Sequence, residues 1–192
     1  MKIYTRTGDS GETSLFNGKR VAKSSSIIEL LGNMDELNAA IGMLASYNVE
    51  NKEIADFLAR IQNVIFEIGA DIATPDIPAD TQKNFDEEVT TLEKQMDSMD
   101  AELKPLKNFI LPGGSLSSAQ SHFCRVLARR CERVFFGLPY QQNHEESAGS
   151  ASLSPNPSIG RYLNRLSDYL FILARYLNKL EGVDDVLWKS GS

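Results

Sequence analysis

Apolar residues recur at helical spacing over two long segments in the first half of the chain. The first segment runs from Ser26 to about Tyr47 and begins with a run of serines that offers an N-cap. A polar turn near residues 48–51 separates it from a second segment, which ends at Pro75. The apolar positions are Ile27, Leu31, Met34, Leu37, Ile41 and Leu44 in the first segment, and Ile54, Phe57, Leu58, Ile61, Val64, Ile65, Ile68 and Ile72 in the second. Two helices are predicted.

Three more helices are predicted in the rest of the chain. A polar helix over residues 85–103 has Val89, Leu92, Met96 and Met99 as its apolar stripe and is expected to pack on the outside. A fourth helix begins at the N-cap Ser115 and ends at about Gly137. A fifth spans roughly residues 158–180, and its apolar face consists of Leu163, Leu166, Leu170, Leu173, Leu177 and Leu180.

The segments between these helices complete the predicted architecture. Residues 138–157 are nearly free of apolar side chains, which indicates a mobile or disordered loop. Residues 2–16 are predicted to form a short strand and a turn. The fold class is therefore all-α: a five-helix up-and-down bundle preceded by a small strand and turn, in one domain over residues 1–192.

Composition and charge exclude several classes of function. A chain of 192 residues that is 42% hydrophobic can bury one good core. A net charge of -6 and a pI near 5.0 argue against a nucleic-acid binder, which is normally basic. No apolar run approaches the ~18 residues of a membrane span, and no targeting segment is evident. Cys124 and Cys131 are expected to be reduced thiols, so the protein is predicted to be soluble and cytoplasmic.

The histidines exclude a ferritin-like di-iron site. Such a site needs a Glu-x-x-His pair on each of two helices. The two histidines, His122 and His144, both lack a glutamate three residues earlier. No metal site built from dedicated protein ligands is predicted.

Four arginines within nine residues of the fourth helix form the strongest cluster of charge. On a helix, His122, Arg125, Arg129 and Arg133 share one continuous face. Because like charges repel at this spacing, an anion or a set of carboxylates is expected opposite them, and a polyphosphate would suit the arginine fork. For the arginine run taken alone, a solvated basic face paired with acids of a neighbouring helix is the favoured interpretation, and the run by itself does not decide between the two.

The stretch "TRTGDSGETS", residues 5–14, is dense in hydroxyls and glycines. Gly8 and Gly11 stand three apart and no Lys-[Ser/Thr] pair follows, so the stretch is not a Walker A loop. Its backbone N–H groups could still surround an anion, with Lys19, Arg20 and Lys23 close behind. A turn without a ligand fits these residues as well.

Polar and aromatic residues at other helical positions leave further alternatives open. Asp35 is predicted near the packed face of the first helix, where it would need an arginine partner. In the fifth helix, Asn164, Asp168, Phe171 and Arg175 share a face, for which an interhelical hydrogen-bond network is favoured. In the apolar run "FILPGG", Phe109 could wall a flat ligand or simply pack in a loop.

Six ordered blocks spread over nearly the whole chain make these features recognisable as a set. They are "YTRTGDSGETS", Lys23, "MDELNAAIG", "FILPGG", "CRVLARRCER" and "NRLSDYLF". With these blocks the chain resembles the trimeric, helical-bundle PduO-type ATP:cob(I)alamin adenosyltransferases. The resemblance implies an enzyme that transfers the 5′-deoxyadenosyl group of ATP to the cobalt of reduced cobalamin and releases triphosphate. It also implies a homotrimer with sites between subunits, and Mg²⁺ on the ATP phosphates.

The resemblance also implies roles for particular residues. ATP would be bound by the N-terminal segment of one subunit, residues 1–25, and by the arginine helix of its neighbour. The implied ATP-binding residues are Thr5, Arg6, Thr7, Gly8, Thr13, Ser14 and Lys23 from one subunit, and Arg129, Arg130, Glu132, Arg133 and Asn164 from the other.

For cobalamin, the resemblance implies that Asp35 pairs with Arg125 across the subunit interface, near the corrin. Phe109 and Phe171 would flank the lower face of cobalt and exclude an axial ligand. The residues implied to be catalytic are Arg129, Asp35, Arg125 and Phe109. Leu187 and Trp188 are weaker candidates for corrin contact, and residues 138–157 match the family too poorly to receive a role.

Two rival functions stay open beside the enzyme. One is a non-catalytic bundle that binds ATP and corrinoid for delivery or sensing, and the other is a structural bundle whose arginines are paired internally. For the enzyme, a cob(II)alamin reductase and an adenosylcobalamin-dependent enzyme would be the expected partners.

Overall fold

The computed structural model of the chain describes residue 4, residues 6–75, residue 78, residues 81–138 and residues 156–189. Its elements are β1 (Glu12–Ser14), β2 (Arg20–Ala22), α1 (Ser26–Tyr47), α2 (Lys52–Ile72), α3 (Asp86–Asp100), α4 (Leu116–Phe136) and α5 (Pro157–Leu180). The predicted all-α fold of five helices is confirmed, with bounds close to those expected. Of the loop predicted over 138–157, residues 139–155 lie outside the described residues.

A second strand, absent from the sequence prediction, completes the N-terminal segment. β1 and β2 pair antiparallel with Thr13 opposite Val21, and the turn between them places Gly18 at a φ of 82°. Strands of three residues are too short to show alternation, which is why the pattern did not reveal β2. Phe16 N–H donates to the Ala73 carbonyl oxygen at 3.2 Å, so the hairpin is tied to the residue that follows α2.

α5 lies at the centre of the helical packing. It contacts α4 on one side and α3 on the other, while α1 contacts both α4 and α2. The leucine face predicted for α5 is buried from Leu163 to Leu177, and only Leu180 at its end is exposed. The ring of Tyr169 lies 5.3 Å from that of Phe57 on α2, so α5 contributes to one core shared by all five helices.

The loop before α4 is fixed to the end of α5 by hydrogen bonds. Ser115 caps α4 as predicted, accepting from Ser118 N–H at 3.2 Å. Its own N–H donates to Asn178 Oδ1 at 3.0 Å, and its hydroxyl bonds Glu181 at 2.9 Å. Gly114 has a φ of 106° beside Asn178, a conformation that favours glycine. The chain that enters α4 is therefore held against α5.

Among the residues that the structure describes, none of the helices combines the length and the apolar content that crossing a bilayer requires.

We expect Gly114→Ala to lower the free energy of unfolding by about 3 kcal/mol or more, because two costs combine at this position. The new side chain would adopt a left-handed φ, and its Cβ would lie 2.2 Å from Asn178 Oδ1. Urea denaturation followed by circular dichroism measures the change.

Gly113→Ala is the matched control, since a Cβ at Gly113 meets nothing within 4 Å. We expect this variant to stay within about 1 kcal/mol of the wild type. Equal losses in the two variants would show that the contact with Asn178 does not constrain the loop.

Candidate functional site

Arg20 connects three parts of the N-terminal hairpin. Its guanidinium donates to the Thr7 carbonyl oxygen at 2.9 Å and to Ser14 Oγ at 3.4 Å, and it forms an ion pair with Glu12 at 3.5 Å. The sequence indicated Arg20 only as one of several cations after the glycine turn. Because a guanidinium has five donors in a fixed fork, one arginine can organise both sides of the turn.

Lys23 lies against the glycine turn itself. Its backbone N–H donates to the Gly11 carbonyl oxygen at 2.8 Å, and Gly11 N–H donates to the Gly8 carbonyl oxygen at 3.3 Å. A Cβ at Gly8 would lie 3.2 Å from Lys23 Nζ, so the ammonium group is close to the turn backbone. The turn therefore has a cation beside it, as an anion-holding loop needs.

The other predicted residues of this loop differ in their surroundings. Arg6 is exposed, has a φ of 61°, which is uncommon outside glycine, and places its guanidinium 5.7 Å from the Tyr4 ring centre. Thr13 is half-buried and Ser14 is exposed. Thr5 lies outside the described residues.

The arginines of α4 divide into paired and unpaired groups. Arg130 forms an ion pair with Glu36 of α1. Across the described ranges of the chain, Arg129 and Arg133 form no ion pair, and Arg133 donates only to the Arg129 carbonyl oxygen at 3.0 Å. Internal pairing, the alternative left open by the sequence, thus accounts for one of the four arginines of this cluster.

Glu132 and Asn164 come together beside the arginines. Asn164 Nδ2 donates to Glu132 Oε1 at 2.8 Å and joins α5 to α4. This contact agrees with the interhelical network expected for the polar face of α5. It also brings together two of the residues that the family resemblance implies for ATP.

Arg125 is half-buried and incompletely bonded. Its Nε is inaccessible and has no hydrogen-bond partner among the residues described. Burial lowers the pKa of Arg125 from its ordinary value, and the charge of Arg129 lowers it further. A carboxylate or another acceptor brought to this guanidinium would relieve both effects.

Asp35 does not lie where the sequence predicted it. The buried face of α1 contains Leu30, Met34 and Leu37, whereas Leu31 is half-buried and Asp35 is exposed. Five of the six predicted apolar positions of α1 are buried, but Leu31 lies at the edge of the buried face, so Asp35, one turn later on the same side, lies outside it. Asp35 is therefore not buried within a single chain, and the prediction that burial would require a partner for it is wrong.

Asp35 instead lies beside an apolar groove between α1 and α2. The groove has a volume of about 300 Å³, and the ring of Phe66 on its wall is 70% exposed. Its lining residues are Leu31, Met34, Asp35, Asn38, Ile65, Phe66, Gly69, Ala70 and Ala73. A single carboxylate beside an open apolar surface suits a ligand or a second chain more than the solvent.

The two predicted aromatic residues belong to separate contacts. Phe109, in the loop between α3 and α4, is 78% exposed and meets the ring of Trp188 edge-on, with centroids 6.3 Å apart. Phe171 of α5 is half-buried, and its ring centroid lies 5.9 Å from that of His122 on α4. His122 precedes Arg125 by about one helical turn.

His122 is a buried, neutral residue in this region. It is 3% exposed, and both ring nitrogens lack a hydrogen-bond partner within the described parts of the chain. The pKa of His122 is lowered to about 4, mainly by burial. The positive charge of Arg125 also lowers this pKa, whereas the carboxylate of Asp185 raises it. The sequence placed His122 on the arginine face, but that face runs from the interior at His122 to the surface at Arg129.

The pKa of His122 predicts a loss of stability in acid. The unfolded imidazole binds a proton near pH 6.5 and the folded one only near pH 4, so the unfolded state binds more protons between these values. We expect the free energy of unfolding to fall by about 2–3 kcal/mol from this source between pH 7 and pH 4. In His122→Leu this part of the pH dependence should disappear, as urea denaturation at several pH values will measure. Parallel pH profiles for the two proteins would contradict the assignment.

The chain is similar to known proteins over nearly its whole length. Residues 3–177 match the family model described as cobalamin adenosyltransferase. A cobalamin adenosyltransferase of Cupriavidus metallidurans is 40% identical over 188 residues, covering 98% of this chain and 94% of that protein. A corrinoid adenosyltransferase of Mus musculus is 39% identical over 194 residues, covering 98% and 77% of the two chains.

A solved structure agrees in fold over the entire chain. It is a variant of a PduO-type ATP:corrinoid adenosyltransferase from Lactobacillus reuteri, complexed with cobalamin and ATP. The TM-score is 0.85 at 30% identity, covering 100% of this chain and 98% of the other. Together with the family match over most of the chain and the six sequence blocks, this shows that the protein belongs to the cobalamin adenosyltransferase family.

Proposed function

We propose that the protein transfers the 5′-deoxyadenosyl group of ATP to the cobalt of reduced cobalamin and releases triphosphate. The observation that carries the proposal is the pair of exposed guanidiniums, Arg129 and Arg133, which have no acidic partner among the described residues of an acidic chain. Charges arranged in this way fit a polyanionic ligand. The family membership identifies ATP as the polyanion.

The triphosphate would lie between the N-terminal loop and the face of α4 that carries Arg129 and Arg133, here called the arginine surface. From the loop, Lys23 and the backbone of the glycine turn would contact phosphate oxygens, with Arg20 holding the turn in shape. The described residues contain no cluster of three metal-ligating side chains. Mg²⁺ would therefore be held by phosphate oxygens and water, an arrangement that this ion favours.

The corrin would lie near Phe109 and Phe171, where the two rings would keep a lower axial ligand away from cobalt. An exposed ring such as Phe109 can cover an apolar face without offering an oxygen or nitrogen ligand. Arg125, with its unbonded Nε, would pair with the exposed Asp35 of an adjacent subunit. The groove beside Asp35 would then face the same ligand.

The chemistry requires little from the protein in acid or base catalysis. The cobalt(I) electron pair forms a bond to the 5′ carbon of the ribose, the bond from that carbon to oxygen breaks, and its electron pair leaves with triphosphate. Because cobalt without a lower ligand is easier to reduce, Phe109 would favour formation of the nucleophile. The remaining contributions are orientation of the 5′ carbon and neutralisation of the leaving group by Arg129, Arg133 and Lys23.

A homotrimer with sites between subunits fits the exposed apolar side chains. On α4, Leu116, Phe123 and Val126 lie along one face and are 76%, 53% and 44% exposed. On α1, Met43 and Tyr47 are 51% and 42% exposed. Such rows of large apolar side chains at helical spacing are typical of subunit contacts.

The rival function is a bundle that binds ATP and corrinoid without catalysing a reaction. Measurements of turnover distinguish this bundle from an enzyme.

We expect Arg129→Ala to lower kcat/KM for adenosylcobalamin formation about 100-fold or more, since a charge-assisted contact to the leaving triphosphate is lost. The measurement follows the cobalamin absorption spectrum after mixing protein, ATP, Mg²⁺ and chemically reduced cobalamin. Binding of both ligands without any turnover by the wild type would establish the silent bundle instead.

Arg60→Ala is the matched control for this variant. Arg60 is also an exposed helical arginine, but it pairs with Glu88 of α3 at 3.0 Å, away from α4. We expect activity within about twofold of the wild type, because exposed ion pairs contribute little. Near-normal activity in Arg129→Ala would mean that the triphosphate lies elsewhere.

Composite sites predict complementation between two inactive variants. In a ring of three subunits, each mixed trimer of Lys23→Ala and Arg129→Ala chains contains one site with an intact loop and intact arginines. Co-expression of the two chains in equal amounts should give about a quarter of the wild-type activity. If activity remains at the level of the separate variants, the loop and the arginines act within one subunit.

A further inference from the structure

The segment after α5 returns along the bundle and pairs with the loop that contains Phe109. Leu111 N–H donates to the Val186 carbonyl oxygen at 2.7 Å, and Trp188 N–H donates to the Phe109 carbonyl oxygen at 2.8 Å. Between these bonds, Ile110 and Leu187 form an antiparallel bridge. Residues 183–188, here called the C-terminal segment, thus act as the strand partner of the Phe109 loop.

One buried arginine is bonded to both chain segments. The side chain of Arg175 is 6% exposed, and its Nε donates to Asp185 Oδ2 at 2.9 Å. Its Nη2 donates to the Lys104 carbonyl oxygen at 2.8 Å. The same guanidinium therefore ties the C-terminal segment and the start of the Phe109 loop to α5.

Asn178, one helical turn further along α5, holds the other end of the loop. Its Nδ2 donates to Asp185 Oδ1 at 3.1 Å, and its Oδ1 accepts from Ser115 N–H at 3.0 Å. The backbone carbonyl oxygen of Asn178 accepts a hydrogen bond from Val183 N–H at 2.8 Å, at the start of the C-terminal segment. The Asp185 carboxylate is bonded through both oxygens, and the loop is fixed before and after Phe109.

Among the residues that the structure describes, Phe109 is supported mainly by the C-terminal segment. Its ring is 78% exposed, and the ring contact it makes is the edge-on one with Trp188, which is 51% exposed. Its backbone carbonyl is fixed by Trp188 N–H. The direction of the ring therefore depends on where the C-terminal segment lies.

We propose that Arg175 and Asp185 are positioning residues for Phe109: their largely buried ion pair fixes the C-terminal segment, and this segment sets the direction in which Phe109 faces the corrin. The inference rests on the proposed function, in which Phe109 covers the lower face of cobalt. Removing one member of a buried ion pair leaves the other charge uncompensated, so the contact is sensitive to a single substitution.

Asp185→Asn is the informative variant, because it removes the charge and keeps the shape of the side chain. Its matched control is Asp184→Asn, which makes the same change at the exposed neighbouring position. The first measurement is independent of activity. Trp188 is the single tryptophan of the chain, so acrylamide quenching of its fluorescence reports on the C-terminal segment alone. Hydrogen exchange at the Leu111 and Trp188 amides reports on the strand pairing.

In Asp185→Asn we expect these two amides to exchange at least about tenfold faster and Trp188 to be quenched more strongly. Asp184→Asn should match the wild type in both. Unchanged exchange and quenching in Asp185→Asn would overturn the first half of the proposal, since the ion pair would then not hold the segment.

The second measurement concerns the reaction. With cob(II)alamin and a reductant, we expect Asp185→Asn to lose about tenfold in kcat, whereas with pre-reduced cob(I)alamin the loss should stay within about threefold. KM for ATP should change less than about twofold, and the absorption spectrum of bound cob(II)alamin should shift toward the form with a lower ligand. Equal losses with both cobalamins would overturn the positioning role.

A double-variant cycle shows whether the effect passes through Phe109. On the Phe109→Ala background, Asp185→Asn should cause no further loss with cob(II)alamin, because the ring that it positions is gone. Additive losses would overturn the proposal. Trp188→Ala, a change at an exposed ring that should not disturb folding, is expected to give a smaller loss of the same kind.

These outcomes distinguish the positioning role from the proposed function. A wild-type protein that forms no adenosylcobalamin would overturn both. An active wild type whose Asp185→Asn variant loosens the segment but keeps the normal ratio between the two cobalamins would overturn the positioning role alone.

Discussion

The close packing of α5 against α4 determines where the candidate site residues lie. The helices approach so closely at Gly160 that a Cβ there would lie 2.7 Å from the Phe136 ring. Further along, Ser121 Oγ donates to the Leu170 carbonyl oxygen at 2.8 Å inside the core. Because this interface is buried and specific in shape, the residues on its two edges have fixed relative positions. The arginine surface lies along one edge, and the contact between His122 and Phe171 lies further along the same pair of helices.

The charged side chains near this interface fall into two groups: some are paired within the chain, and others are exposed and could bind a ligand. Arg130 is matched by Glu36, and Glu132 is occupied by Asn164. Exposed ion pairs contribute at most about 1 kcal/mol each, so they do not hold the bundle together, but they neutralise charge locally. Arg129 and Arg133 remain unmatched among the described residues. In an acidic protein, two unmatched guanidiniums on one helix are more easily explained by a ligand than by the fold.

The sequence predicted the features that repeat and missed those that depend on a single contact. Five helices were evident because each has a long periodic stripe, whereas β2 has three residues and no usable pattern. Asp35 was misplaced because Leu31, one turn before it, lies at the edge of the buried face of α1, and apolar spacing alone does not show where such an edge falls. The pair Arg175–Asp185 lies ten residues apart across the end of a helix, a spacing that no periodicity predicts. The family blocks supplied the candidate site residues because chemistry, unlike packing, depends on residue identity.

α5 also fixes the distance between the two parts of the proposed site. Asn164, near the arginines, and Arg175, beneath the Phe109 loop, are eleven residues apart on one continuous helix, which corresponds to about 16 Å along its axis. Phe171 lies between them. A helix packed on two sides does not change its length, so the residue proposed to contribute to the ATP site and the residue proposed to direct Phe109 are held at a constant separation. In the proposed transfer the ribose 5′ carbon must meet cobalt, and a constant separation between the two proposed sites serves this orientation without any acid or base group.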